Sequence, residues 1–199
     1  MFSKRLDELY KLLSKAEYSS PQKQLSESGA ILAFHSLLRQ TEESDGTVFV
    51  IGNGGSAGIA SHFAIDLLNA LKIAAQTLYD SNTLTCISND YGYEEVFSRP
   101  LKLLLKPDDL LICISSSGNS QNILAAAQVA IEKDIPLITL SGFHPKNPLR
   151  SMGGLNFYLP IEDYGIVEMG HLFLLHTIID SWKQISDAPI KTPSLSYAE

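Results

Sequence analysis

From Thr47 onward the chain alternates short β-branched runs, each bounded by Gly, Ser, Asp or Pro, with longer stretches of helical periodicity. Residues 47–51, 75–79, 110–114, 137–140 and 156–159 read as strands. Residues 56–72, 83–88, 96–105, 120–133 and 165–185 read as helices. Strands joined by helices argue for a parallel sheet covered on both faces, because parallel neighbours need crossover connections and both faces must then be buried. The chain is therefore expected to be α/β, with its ligand site at the carboxyl ends of the strands. Ahead of this domain (45–186), residues 1–44 predict a helical extension. Leu6, Leu9, Tyr10, Leu12 and Leu13 stand at helical spacing, Ser19-Ser20-Pro21 makes a break, and Ile31, Leu32, Phe34, Leu37 and Leu38 resume the pattern. Residues 187–199, with Pro189 and Pro193, read as a loose tail.

Composition narrows the partners. Fifteen Lys and Arg against twenty-two Asp and Glu give a formal charge of −7, so the basic face that a nucleic-acid binder needs is not expected. The most apolar stretches are interrupted by Lys106, Asp108, Asp109 and His176, well short of a membrane span. The charged start, Lys4-Arg5-Leu6-Asp7-Glu8, lacks the apolar stretch of a signal peptide, and the expected location is the cytoplasm. Cys86 and Cys113 have no metal-type or disulfide spacing and read as small core residues.

Two loops carry the chemistry. Gly52-Asn53-Gly54-Gly55-Ser56-Ala57-Gly58 follows one strand and opens a helix, where glycines permit close backbone approach and free N–H groups attract an anion. Gly52, Gly54 and Ala57 also fit the dinucleotide pattern G-x-G-x-x-A. Its acidic partner should lie about 20 residues on, however, and Asp80 lies 28 on. A P-loop is excluded because no Gly-Lys-Ser/Thr follows. The second loop, Ile114-Ser115-Ser116-Ser117-Gly118-Asn119-Ser120, offers four hydroxyls and several N–H groups around one glycine. Such a nest of neutral donors suits a phosphate monoester. A helix N-cap accounts for one serine and leaves three unexplained.

These loops, with His62-Phe63-Ala64, Asn89-Asp90-Tyr91-Gly92 and Phe97-Ser98-Arg99, resemble the sugar isomerase (SIS) domain of phosphoheptose isomerases over residues 30–185. The resemblance implies a flavodoxin-like three-layer αβα sandwich with a five-stranded parallel sheet. It implies an aldose–ketose isomerase acting on sedoheptulose 7-phosphate or a related sugar phosphate, in the supply of sugars for cell-surface polysaccharide. By the same resemblance, Asn53, Gly54, Gly55, Ser56, Asp66, Asn89, Asp90, Ser115, Ser116, Ser117, Ser120 and Glu168 match substrate-binding positions. Homotetramers with sites at subunit interfaces are typical of the family, so His176 can come from a neighbouring subunit.

His62 and Asp66, at i and i+4, leave one face of a helix, a common zinc half-site. With Glu168 and His176 they match the family's metal positions, and zinc is the cofactor this implies. The resemblance makes Asp66 the base and His176 the acid. Three departures stand out. Asp66 replaces the family's Glu, Glu168 replaces its Gln within Ile166-Val167-Glu168-Met169, and Gly165 replaces an Asp. The rival reading is a non-catalytic phosphosugar-binding SIS domain similar to the DnaA initiator-associating proteins, which lose the metal-type residues. His35 and His171, each alone on an apolar helix, read as core residues.

Overall fold

Successive side chains of a strand point to opposite faces, so a strand covered on both sides feeds two separate cores. Val48 and Val50 enter one core with Leu110, Ile112, Ile114, Ile138 and Leu140, while Phe49 and Ile51 enter the other with Leu111, Cys113 and Leu137. In the computed structural model, which describes residues 1–186, the elements run α1 (Phe2–Leu13), β1 (Glu17–Ser20), β2 (Lys23–Leu25), α2 (Glu27–Glu43), β3 (Val48–Gly52), α3 (Gly55–Asp66), β4 (Ala75–Gln76), α4 (Ser81–Tyr91), α5 (Ser98–Leu104), β5 (Leu110–Ser115), α6 (Gln121–Glu132), β6 (Leu137–Gly142), β7 (Leu155–Leu159) and α7 (Tyr164–Ser186). A π-helical turn, Leu67–Leu71, continues α3 and ends at Lys72 in the left-handed region. The 187–199 tail lies outside the described residues.

The sheet has seven strands in the order β2-β1-β7-β6-β5-β3-β4. The five expected strands are all present and parallel to one another. What the sequence reading missed is the hairpin β1–β2, which pairs antiparallel with the outer edge of β7. It corrects the picture of 1–44 as a purely helical preface. The hairpin escaped because Glu17-Tyr18-Ser19-Ser20-Pro21 carries one large apolar residue, Tyr18, too few to show an alternating strand pattern. Tyr18 packs edge-on against Phe157 at 5.3 Å. Nor is α2 an appendage. Phe34, buried, meets Phe63 of α3 at 5.9 Å and Phe157 of β7 at 5.8 Å, so this helix is part of the core.

Helices α2, α3 and α7 cover one face, and α5 and α6 cover the other. Strand order reverses beside β3: its helix-linked successor β4 lies on one side, and β5, β6 and β7 follow on the other. Such a reversal opens a crevice between two strand ends, because consecutive crossovers leave it in opposite directions. Among the described residues no helix is long and apolar enough to cross a membrane. Cys113 is buried as expected, but Cys86 is exposed on α4, its Sγ 3.5 Å from an Asp90 carboxylate oxygen.

His35 and His171 are both core residues. His35 Nε2 lies 2.8 Å from the Ile178 carbonyl, and His171 Nε2 lies 3.2 Å from that of Ser141. Burial disfavours the imidazolium and pushes the pKa of His171 down to about 4 and that of His35 down as well. Above the ordinary value near 6.5 both folded and unfolded chains hold His171 neutral. As pH falls from there toward 4, the unfolded chain takes a proton that the folded chain refuses, so stability drops across that window. Urea midpoints should therefore fall between pH 7 and pH 5, and His171→Leu should show a shallower fall than the parent. Equal slopes would rule out His171 as a source of the pH dependence.

Candidate active site

The glycine loop leaves β3 and the serine loop leaves β5, the two strands at the reversal. Gly54 precedes α3 with φ +54°, a left-handed conformation that costs glycine little. Gly118 in the serine loop has φ +65°, and a Cβ there would also collide with the Asn147 side chain. Asn147 is itself fixed, its Nδ2 donating to Ser141 Oγ and to the Gly142 carbonyl, and its Oδ1 accepting from Arg150 N–H. The serine loop thus rests against the segment that follows β6.

Between the two loops lies a pocket of about 250 Å³. Asn53, Gly54, Gly55, Ser56, Ser115, Ser116, Ser117, Ser120 and Glu168 line it, together with Ile114 and Tyr164. Nine of the expected residues therefore converge. The N-termini of α3 and α6 both open on it, and among the described residues no Lys, Arg or His lines it. The loop's hydroxyls are partly self-satisfied. Gly118 N–H donates to Ser115 Oγ at 3.2 Å, Asn119 N–H to Ser117 Oγ at 3.2 Å, and Ser115 and Ser120 hydroxyls lie 3.3 Å apart. The buried Ser116 hydroxyl has no partner. A larger groove of about 590 Å³ lies between the hairpin turn and residues 145–151. It is shallow and holds none of the expected site residues, whereas the smaller pocket sits at the strand reversal with two helix starts aimed at it.

Glu168 stands over the first residue of α3. A Cβ on Gly55 would collide with its carboxylate, so only glycine there lets the two approach. A carboxylate at a helix start is favoured by the free N–H groups. Among the described residues Glu168 makes no hydrogen bond or ion pair.

His62, Asp66 and His176 form a separate group where α3 meets α7, with one ligand atom from each lying within 4.8 Å of the others. Asp66 Oδ2 is 3.4 Å from His62 Nε2 and 3.6 Å from His176 Nδ1, and the two imidazoles stack edge-on at 4.9 Å. Ligands on a tetrahedral ion with Zn–N of ~2.0–2.1 Å sit roughly 3.3 Å apart, so small side-chain shifts fit these three to one ion with a position left open. The expected fourth ligand, Glu168, is not with them. It precedes His176 by eight residues on α7, which is about 12 Å of helix rise, and it belongs to the pocket instead. Asp66 is likewise eleven residues beyond Gly55 on α3, about 16 Å along the axis. One chain does not bring the base candidate to its own pocket.

Asn89 and Asp90 lie exposed at the end of α4 and do not line the pocket; Asn89 Nδ2 donates to Asp90 Oδ1 at 2.8 Å. Three residues missed from the sequence hold the glycine loop. The Tyr79 hydroxyl accepts from Gly52 N–H at 2.7 Å and donates to Gly52 O at 3.1 Å. Asn122 and Tyr93 bond to Asn53. Tyr79 ends the strand expected at 75–79, and partners 27 to 69 residues away leave no local signal for any of the three.

The chain is similar to known proteins over most of its length. The SIS domain family model matches residues 16–142. The phosphoheptose isomerase of Helicobacter hepaticus is 36% identical over 171 residues, covering 83% of this chain and 87% of that protein. That of Shewanella sp. strain ANA-3 is 35% identical over 142 residues, covering 67% and 72%. Among solved structures, the phosphoheptose isomerase of Neisseria gonorrhoeae superposes with a TM-score of 0.74 at 30% identity, covering 90% of this chain and 92% of that one. The enzyme from Francisella tularensis gives 0.71 at 31%, covering 78% and 85%. With this sequence similarity over most of its length, and with both loops placed at the strand reversal, the chain belongs to the phosphoheptose isomerase family of SIS-domain proteins.

Proposed function

We propose that this protein is a phosphosugar aldose–ketose isomerase that interconverts sedoheptulose 7-phosphate, or a ketose phosphate of similar length, with its aldose isomer. The observation that carries the reading is the pocket itself, in which five serines and two helix starts face one space with no Lys, Arg or His among the described residues that line it. A phosphate monoester fits that set. Its oxygens accept from hydroxyls and backbone N–H groups, and the unpartnered Ser116 hydroxyl gains an acceptor.

Isomerisation needs a base and an acid. Asp66 takes the proton from the carbon beside the carbonyl, and the released electron pair forms the enediol double bond while His176 gives a proton to the carbonyl oxygen. Asp66 then returns the proton to the neighbouring carbon while the hydroxyl on the first carbon gives its proton to His176 and becomes the new carbonyl, which restores both residues and completes the exchange. His62, Asp66 and His176 are the residues that would hold zinc, which supplies Lewis-acid polarisation of the carbonyl. Glu168, by its place in the pocket, contacts the sugar.

Because Asp66 lies about three helical turns from its own pocket, the reading requires a second copy to bring its His62, Asp66 and His176 to that pocket. The surroundings of the triad support this. Ile65 and Leu68 beside Asp66, and Met169 and Phe173 on α7, are exposed apolar side chains, the kind of surface that a partner covers. At about 250 Å³ the pocket of one chain is also below the ~300–1,000 Å³ of most small-molecule sites. A homotetramer in the cytoplasm is the assembly and location that fit.

Two measurements check this. Ser117→Ala and Ser120→Ala each remove a donor to a dianion worth ~1.5–3 kcal/mol, so affinity for sugar phosphates should fall at least tenfold per site; parental affinity in the double variant would refute the phosphate assignment. Purified protein should convert sedoheptulose 7-phosphate and contain zinc, with activity lost to a chelator and restored by the metal. Asp66→Asn should lower turnover at least ~10²-fold, the scale of a general-base contribution, with the phosphate affinity retained. Metal-free protein inert toward all phosphosugars would favour the binding-module reading.

A further inference from the structure

The side chain of Asn53 lines the pocket but is already committed elsewhere. Its Nδ2 donates to Asn122 Oδ1 at 2.8 Å, and Asn122 Nδ2 donates back to Asn53 Oδ1 at 2.9 Å. The two amides pair face to face. Backbone N–H of Ile123 donates to Asn122 Oδ1 at 3.0 Å. A backbone N–H can only donate, so this bond fixes which end of Asn122 is oxygen and, through the pair, which end of Asn53 is. The Tyr93 hydroxyl supplies a second donor to Asn53 Oδ1 at 3.1 Å.

Three segments meet at this one amide. Asn53 belongs to the glycine loop. Asn122, 2% exposed, is on the first turn of α6, two residues beyond Ser120. Tyr93 follows the Asn89–Asp90 end of α4. Among the described residues, the Asn53–Asn122 bonds are the only side-chain hydrogen bonds that join the glycine loop to the serine loop or α6. β3 and β5 pair directly as far as Gly52 and Ile114; beyond them the two loops diverge, and the amide pair ties them together again.

We propose that Asn122 and Tyr93 are positioning residues for the sugar-phosphate site. They hold Asn53, and with it the backbone N–H groups at the start of α3, at a set distance from the serine loop, so that one ligand meets both sets of donors. This rests on the isomerase reading for its substrate, though not for its geometry. Donors held on two independent loops would have to be gathered at each binding event, and an ordering cost of that kind appears as weakened binding. A displacement of about 1 Å in such groups is enough to matter.

The test is a double-mutant cycle on Asn53→Ala and Asn122→Ala, with Asn122→Asp and Tyr93→Phe beside it. It is read as KM and kcat for sedoheptulose 7-phosphate, as the dissociation constant for inorganic phosphate, and as melting temperature. Asn122→Asp retains the shape and still accepts from Ile123 N–H and Asn53 Nδ2, but it sets an oxygen against Asn53 Oδ1 where a donor stood. It should therefore be as damaging as alanine. Both Asn122 variants should raise KM and the phosphate dissociation constant by about tenfold, one buried hydrogen bond's worth, with kcat changed less. Tyr93→Phe should cost a few-fold. The Asn53/Asn122 double variant should be no worse than the poorer single variant, as expected when two residues act as a unit. The proposal is overturned if Asn122→Asp binds phosphate like the parent, if the single effects multiply in the double variant, or if the variants lose only melting temperature while KM and phosphate affinity hold. A parent that binds phosphate but isomerises nothing defeats the isomerase reading alone, and the cycle in phosphate affinity still decides this one. A parent that binds neither sugar phosphate nor inorganic phosphate defeats both.

Discussion

The reversal of strand order between β3 and β5 is the constraint on which the rest of the molecule depends. A parallel sheet buried on both faces leaves no room for polar chemistry along its strands, as the unbroken burial of Val48 to Gly52 and Leu110 to Ser115 illustrates. Polar groups can collect only where the strands end. At most strand ends the outgoing chain lies over its neighbour, but at the reversal two chains part and the helices they enter begin side by side. The pocket, the glycine approach at Gly55 and the gathering of the serine-loop hydroxyls all follow from that one parting.

Much of this was legible in the sequence because it is local. Seven consecutive residues carry the glycine loop and seven the serine loop, so composition and strand context suffice to place them. The hairpin at residues 17–25 was not legible, because one buried tyrosine between polar residues is a weak strand signal and the pairing partner, β7, is more than a hundred residues away. The amide pair of Asn53 and Asn122 was silent for the same reason. A single asparagine on the first turn of a helix looks like a cap, and its partner stands 69 residues earlier. Cys86 shows the opposite error, where apolar neighbours in sequence suggested a core position and the helix turned the thiol outward.

The spacing on α7 divides labour in a way that a list of ligand-type residues conceals. Glu168 and His176 share a helix but stand more than two turns apart, so one lines the pocket between the two loops and the other joins the cluster with His62 and Asp66. Read as one set, the four residues seem to make a metal site. The helix rise makes them parts of two separate places on the chain. A bidentate pair between Arg5 of α1 and Asp163, 2.8 and 3.0 Å, holds the start of α7 where Tyr164 and Glu168 face the pocket.

The absence of Lys, Arg and His from the pocket lining also governs how a ligand arrives. In the single chain, where no Lys, Arg or His is among the described residues lining the pocket, a dianion approaching a net charge of −7 meets repulsion at long range and attraction from short-range dipoles once inside. Encounter is then unassisted by steering, and added salt, which usually slows the capture of charged ligands by oppositely charged proteins, should here relieve the repulsion and quicken it. Once seated, the ligand is held by donors of fixed direction rather than by a diffuse field. Such a site discriminates by the tetrahedral shape of the phosphoryl group and is little drawn to anions of other geometry.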